Sequence, residues 1–362
     1  MNKIIGFFAV INLLLLIFFS IREPDLENTY DLLEKARKAR DQNLFIKQRD
    51  FLGQVIDERI KILGSSHPGL AKLYSRVAHS YVNSINLNPK SIDVLENFEK
   101  AELFVDKAIS IAGNQKDAEN WQLGLFVAQK GNIILEKSEY NSQQIPERAI
   151  MLLQQSLKIL KNRLGSQSPE FQITKTILAR ALKKRGDCNL SMHLLAETIS
   201  WFEANLPPDS ERLALQYENL ASSQACLGRF EESIKSNQSA LSIYEKKDNY
   251  FIPSMLILYQ NSILYFLVDD KPKCLRLLTY LSAETSGSNL SKEILAMIAQ
   301  DLHFLKLMLN DNATVEEAKQ FRSILRARRL GFQNSTFRPI QLEIIIALEE
   351  LMEIKLDSHL FK

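Results

Sequence analysis

The sequence has 362 residues, of which 46% are hydrophobic and 24% charged, and its net charge is +2. This composition is that of a folded protein rather than a disordered one. The balance of 45 basic against 43 acidic residues argues against general binding of nucleic acid or another polyanion. The length would suggest two or three globular domains. That count does not apply to a repeat array, which grows by adding units rather than by enlarging one core.

The first element of the chain is an apolar run of 18 residues, Ile4 to Ile21, flanked by Lys3 and Arg22. At about 1.5 Å rise per residue, a helix of this length just crosses a hydrocarbon core of roughly 30 Å. A cleaved signal peptide is the alternative, but it needs small residues at the cleavage site, where this chain has bulky ones. We therefore predict an uncleaved anchor over residues 1–22, with a single membrane span through residues 4–21.

Two features indicate opposite orientations for this anchor. The short N-terminal tail carries only Lys3 and the terminal amine, which favours a body outside the cytoplasm, whereas the bases at residues 35–40 would hold the body inside. Those bases lie in a predicted helix. We expect an extracytoplasmic body, with the cytoplasm-facing orientation as the alternative.

A helical hairpin repeats along residues 23–330. Its first helix carries a small residue at a position that recurs after 42, 50, 51, 42 and 42 residues. Helices that pack closely need a small side chain at their contact, so this spacing predicts about six to seven stacked helix pairs. The position is occupied by Ala36, Ala78, Ala128, Ala179 and Ala221, and Ile263 continues the series.

The stretch from Tyr217 to Lys246 is the clearest of these hairpins, with a reversal predicted at Gly228. It resembles a tetratricopeptide repeat, with Leu220-Ala221, Gly228, Phe230 and Ala240 at the positions of the family pattern. The long period and the LGSSHPG linker are similar to those of kinesin light chains and bacterial scaffolds. The resemblance implies an all-α, right-handed α–α superhelix that holds a protein or peptide in a concave groove.

The end of the chain, residues 331–362, is predicted to form a loop and one further helix, Pro339 to Leu356. Terminal units of solenoids commonly have one face without a neighbour. We therefore expect this helix to close the end of the stack as a capping helix.

The three cysteines, Cys188, Cys226 and Cys274, are far apart in sequence and form no CxxC pair. An odd and sparse set argues against a disulfide framework and against a zinc site. We expect each to be a buried or half-buried free thiol.

The sequence contains no motif for a catalytic, metal or cofactor site, and its five histidines lie in different units. We therefore expect a protein without enzymatic activity or cofactor, whose function lies in the groove lined by the first helices. A Tyr-x-Asn pair occurs twice there, 42 residues apart, as Tyr217 with Asn219 and Tyr259 with Asn261.

Asparagine can both donate to and accept from a peptide backbone, and the resemblance implies this use. The alternative is that the two asparagines pair with a neighbouring helix and fix the stacking. Further candidates for the groove occupy matching positions in successive units: His79, Gln129, Arg180 and Ser222.

These features predict a membrane-anchored, non-enzymatic scaffold that binds a protein or peptide and acts in the assembly or regulation of a membrane or envelope complex. One alternative is a secreted or periplasmic accessory protein, with a cleaved signal peptide, that binds a small ligand. Another is a cytoplasm-facing sensor that responds to a peptide.

Overall fold

The computed structural model describes residues 26–87, 93–114, 120–141, 147–247, 251–285, 292–309, 313–331 and 340–357. Within these ranges the regular structure is entirely α-helical, as the repeat pattern predicts. The predicted anchor at residues 1–22 lies outside them, and none of the described helices is long and apolar enough to cross a membrane. In chain order the described helices are α1 (Glu27–Asp41), α2 (Phe45–Leu63), α3 (Gly69–Leu87), α4 (Val94–Gly113), α5 (Gln122–Asn141), α6 (Glu147–Leu164), α7 (Pro169–Arg185), α8 (Cys188–Asn205), α9 (Glu211–Cys226), α10 (Phe230–Tyr244), α11 (Phe251–Leu267), α12 (Lys271–Thr285), α13 (Lys292–Leu309), α14 (Val315–Gly331) and α15 (Ile340–Asp357).

The helices belong to two compact units, an N-terminal unit that ends at Phe126 and a C-terminal unit that begins at Val127. In the N-terminal unit α1 packs against α2, α2 against α3, and α3 against α4. In the C-terminal unit the same order continues without a break from α6 to α15. Such nearest-neighbour packing is typical of a helical solenoid.

The small residues of the first helices lie where these helices pack most closely. Ala78, Ala179 and Ala221 are fully buried, and Ile263 is buried at the corresponding position of α11. The second helix of the hairpin approaches this position directly, since the Ser233 hydroxyl donates to the carbonyl of Ala221 over 2.8 Å. The predicted repeat pattern is therefore confirmed as the contact pattern of the hairpins.

Two of the hairpin turns use glycine where the backbone enters the left-handed region, whereas two others use Asn43 and Asp269. Gly186 has φ 99° and Gly228 has φ 70°, and each follows the first helix of its hairpin. A residue with a Cβ is strained at these angles, whereas glycine is not. The reversal predicted at Gly228 is confirmed, and Gly186 makes the same kind of turn in the preceding hairpin.

The cysteine prediction is wrong for two of the three residues. Cys188 begins α8 and Cys226 ends α9, and the two form a disulfide across Cα atoms 6.2 Å apart. They are 38 residues apart in sequence, but α8 packs against α9, which places the turns of adjacent hairpins side by side. Cys274 is a buried free thiol as expected, and burial raises its pKa to about 12.

The position predicted for the last helix also needs correction. α15 packs against α14, the last helix of the stack, and in addition it packs against α9 and α11. Eight residues separate α14 from α15, enough chain to reverse direction. The physical reason is that first helices of neighbouring hairpins leave an apolar surface that an amphipathic helix can cover.

Candidate functional site

The candidate site is the surface carried by the first helices α7, α9 and α11 and by α5 from Val127 onward, all in the C-terminal unit, and it is here called the first-helix face. α7 packs directly against α9, and both α9 and α11 pack against α15. Side chains on this side of successive helices therefore meet although they are about 42 residues apart in sequence. Six of the eight residues predicted to line the groove lie on α7, α9 and α11.

Buried polar contacts join α7 to α9. The Thr176 hydroxyl donates to Oε1 of Gln216 over 2.8 Å, and Lys183 Nζ donates to the Ser222 hydroxyl over 2.6 Å. All four residues are buried. Ser222, predicted to vary the chemistry of the groove, is thus part of the contact between two repeats.

Arg180 lies on the same side of α7 in a cluster of charged residues. Its guanidinium is 3.2 Å from a carboxylate oxygen of Glu139 on α5, and both side chains are about three-quarters buried. Burial raises the pKa of the neighbouring Glu136, although the Arg180 charge and a hydrogen bond from Asn132 lower it. Arg180 keeps some exposure and remains available to a second carboxylate.

Asn261 is only 2% exposed, and its Oδ1 accepts a 2.9 Å hydrogen bond from Nδ2 of Asn237 on the second helix α10. This contact favours the stacking interpretation for Asn261 over peptide binding. Tyr259 is buried as well, and its hydroxyl donates to the carboxylate of Asp301 on α13. The second Tyr-x-Asn pair therefore links repeats to each other.

The first Tyr-x-Asn pair has a more open environment. Asn219 is half-buried, and its Nδ2 is shielded from solvent without a hydrogen-bond partner. Tyr217 is also half-buried and donates to Glu203 over 2.5 Å. Burial, and then this hydrogen bond, raise the pKa of Tyr217 to about 12, so its hydroxyl stays a donor. Of the two asparagines, Asn219 is the one with an unused donor.

The last two candidates lie on other helices. Gln129 is half-buried on α5. His79 lies on α3 of the N-terminal unit and is exposed to solvent. Partial desolvation of its ring by the surrounding protein, and then the charge of Arg40, lower the pKa of His79 below its usual value.

Sequence reasoning missed the residues of α15 that occupy the first-helix face. Leu348 and Met352 are fully buried and belong to one apolar cluster with Ala225 of α9 and with Ile263 and Leu264 of α11. Leu348 was visible in the sequence as part of the apolar side of the predicted helix, whereas Met352 was not assigned to it. What that apolar side packs against was not visible, because it depends on a contact between distant parts of the chain.

A separate open cavity of about 470 Å³ lies between the start of α7 and the end of α8. Phe171, Lys175 and Trp201 are among its lining residues. Lys175 is paired with Glu197 at the cavity wall. Among the described residues, no group of three or more His, Cys, Asp or Glu side chains could hold a metal ion.

No family model matches the sequence, and no curated protein matches it either. Several solved structures are similar. A signal-transduction ATPase of the STAND class from Pyrococcus horikoshii, which has a tetratricopeptide-repeat sensor, is 15% identical with a TM-score of 0.58. That match covers 92% of this chain and 44% of the other.

Two further structures have a similar helical arrangement. Aspartyl phosphate phosphatase F from Bacillus subtilis is 14% identical over 94% of this chain and 85% of that chain, with a TM-score of 0.51. BtubC (BKLC) from P. vanneervenii is 15% identical over 74% of this chain and 95% of that chain, with a TM-score of 0.50. At identities this low the likeness shows the fold alone. The chain has the helical-repeat fold of tetratricopeptide-repeat proteins.

Proposed function

We propose that this protein is a non-enzymatic scaffold that binds a segment of another protein on its first-helix face. The observation that supports this most directly is the position of α15. A helix lies on α9 and α11 and buries Leu348 and Met352 there, so this surface has the shape and polarity to receive a helical segment. Tetratricopeptide repeats serve as a sensor in the similar Pyrococcus horikoshii protein, which is consistent with a binding role.

The scaffold is anchored in a membrane through residues 4–21, with its repeats outside the cytoplasm, and it acts in assembling or regulating a membrane or envelope complex. The apolar run supports the anchor. The Cys188–Cys226 disulfide supports the location, because disulfides persist in oxidising compartments and are rare in the cytosol. N-terminal sequencing of the mature protein tests the anchor, since a new N-terminus near residue 21 would contradict it.

A second candidate function is the binding of a small ligand in the cavity between α7 and α8. The exposed part of Trp201 offers a surface for stacking, and Lys175 and Glu197 offer one charge of each sign. This candidate predicts that Trp201→Ala abolishes ligand binding without affecting the capture of a protein on the first-helix face.

Photo-crosslinking in native membranes tests the main proposal. A photoreactive amino acid at position 219 samples the first-helix face, and one at Met151, which is 67% exposed on the second helix α6, serves as the matched control. We expect a discrete protein adduct from position 219 alone, and we expect Arg180→Ala to weaken it. Identical adducts from both positions, or none from either, would contradict the proposal.

A further inference from the structure

We infer that α15 is a displaceable occupant of the first-helix face, and that the partner contributes an acidic amphipathic helix that competes with it. This inference rests on the proposed function, because it assigns the partner to the same surface. It names both the class of partner and the means by which the surface is kept closed.

α15 packs against α14, α9 and α11, and its described buried side chains lie on one side of the helix. Of its side chains that the structure describes, Leu348, Glu349 and Met352 are buried, while Glu350 and Glu353 are exposed to solvent. Leu351 packs at the edge of the apolar cluster. Two apolar anchors four residues apart are the usual means by which a helix binds a groove made by other helices.

The repeats beneath α15 have their own packing partners. α9 packs against α8 and α10, and α11 packs against α10 and α12, independently of α15. In a solenoid the hairpin stack derives its stability from such neighbours. Departure of α15 removes its packing on α14 but leaves these contacts of α9 and α11 in place. It uncovers an apolar surface around Ala225 and Leu264, of the kind that marks an interaction site.

Charge complementarity at the rim indicates which helices can replace α15. Glu353 follows Met352 directly and pairs with Arg322 of α14, with 2.5 Å between the charged atoms. A competing helix that places a carboxylate one residue after its second apolar anchor would keep this ion pair. The partner's recognition element is therefore a helix with two apolar residues four positions apart, followed by Asp or Glu.

The length of chain that connects α14 to α15 determines how strongly α15 competes with an external helix. Only eight residues connect it to α14, so its effective concentration at the face is high. An external helix binds only the fraction of molecules from which α15 has departed, so its apparent affinity falls by that fraction. Weakening the anchors of α15 thus strengthens the binding of an external helix.

The test uses the full chain carrying Leu348→Asp with Met352→Asp, and a labelled peptide with the sequence of residues 340–357. We expect the peptide to bind this variant about tenfold or more tightly than the unaltered protein, as measured by fluorescence anisotropy. Glu350→Ala, which changes an exposed residue of α15, is the matched control and should bind like the unaltered protein. Equal peptide binding by all three proteins would overturn the inference.

Hydrogen exchange on the unaltered protein tests the inference without any substitution. The amides of α15 should exchange while those of α9 and α11 remain protected. Exchange of α15 only together with α9 and α11 would show that it is a fixed part of the fold and would overturn the inference.

Photo-crosslinking from position 219, in the unaltered protein and in the double variant, distinguishes a failure of this inference from a failure of the proposed function. A stronger partner adduct in the double variant supports both. An unchanged adduct overturns the role of α15 but leaves the scaffold function standing. The absence of an adduct from either protein overturns the scaffold function, and the peptide and exchange measurements still decide whether α15 departs.

Discussion

The hydrogen bond between Asn237 and Asn261 gives the sharpest test of what holds the repeats together. Asn237 on α10 is fully buried, and its Nδ2 lies 2.9 Å from Oδ1 of Asn261 on α11. If Asn261 acts in stacking, replacing it with alanine destabilises the fold. If it acts in binding a peptide, the same replacement removes partner capture and leaves stability unchanged.

The expected magnitude follows from the burial of both side chains. Asn261→Ala leaves Nδ2 of Asn237 buried without an acceptor, and an unsatisfied buried polar group costs about 1–3 kcal/mol. Oδ1 of Asn237 already lacks a partner, so Asn237→Ala also removes an unsatisfied acceptor and should cost less. The double variant should recover about 0.5–1.5 kcal/mol relative to the sum of the single ones, because neither partner is then left unpaired.

The free energy of unfolding of the four proteins, measured by urea denaturation with far-UV circular dichroism, supplies the double-mutant cycle. Asn219→Ala is the matched control, since it lies 42 residues earlier at the same repeat position and removes a donor that has no partner. We expect this control to leave stability within about 0.5 kcal/mol of the original. Loss of partner capture by Asn261→Ala with unchanged stability would refute the stacking role.

Two further predictions concern packing and the disulfide. Gly131→Ala should destabilise the C-terminal unit by about 1–3 kcal/mol, because its Cβ would lie 2.9 Å from a leucine Cγ of α6, as urea denaturation would show. In contrast, Gly53→Ala, with nothing within 4 Å of the new Cβ, should stabilise α2 by about 0.5–1 kcal/mol, and equal effects of the two changes would contradict this reasoning. Replacing both Cys188 and Cys226 with serine should lower the free energy of unfolding by about 4 kcal/mol, since the bond closes a loop with a sequence separation of 38. A reducing agent should not lower the free energy of unfolding of that double variant any further. If the double variant is as stable as the original protein, the folded protein does not contain the disulfide.

The sequence by itself determined the helical hairpins and their spacing. Ala179 and Ala221 recur because each hairpin meets its neighbour at the same point, and a small side chain is required wherever two helices come close. Gly228 marks a reversal because its backbone angle is strained for most side chains with a Cβ. Both signals are local, so each can be read within one repeat and recognised again in the next.

Only the tertiary structure decided which groove candidates already have hydrogen-bond partners within the fold. Asn219 and Asn261 have the same local sequence context, yet one keeps an unused donor and the other pairs with Asn237. The difference arises from the residues that each adjacent helix supplies. Repeat spacing carries no information about those residues. It shows that two positions are equivalent within their own repeats, but not which side chains the adjacent helices place next to them.

The same reason explains the disulfide and the position of α15. Cys188 and Cys226 are far apart in sequence and become neighbours only because consecutive hairpins stack in register. Leu348 was visible as part of an apolar pattern, but an amphipathic helix fits any apolar surface of suitable width. Its place on α9 and α11 is set by which surface the stacked repeats leave uncovered and by the length of chain that leads to it.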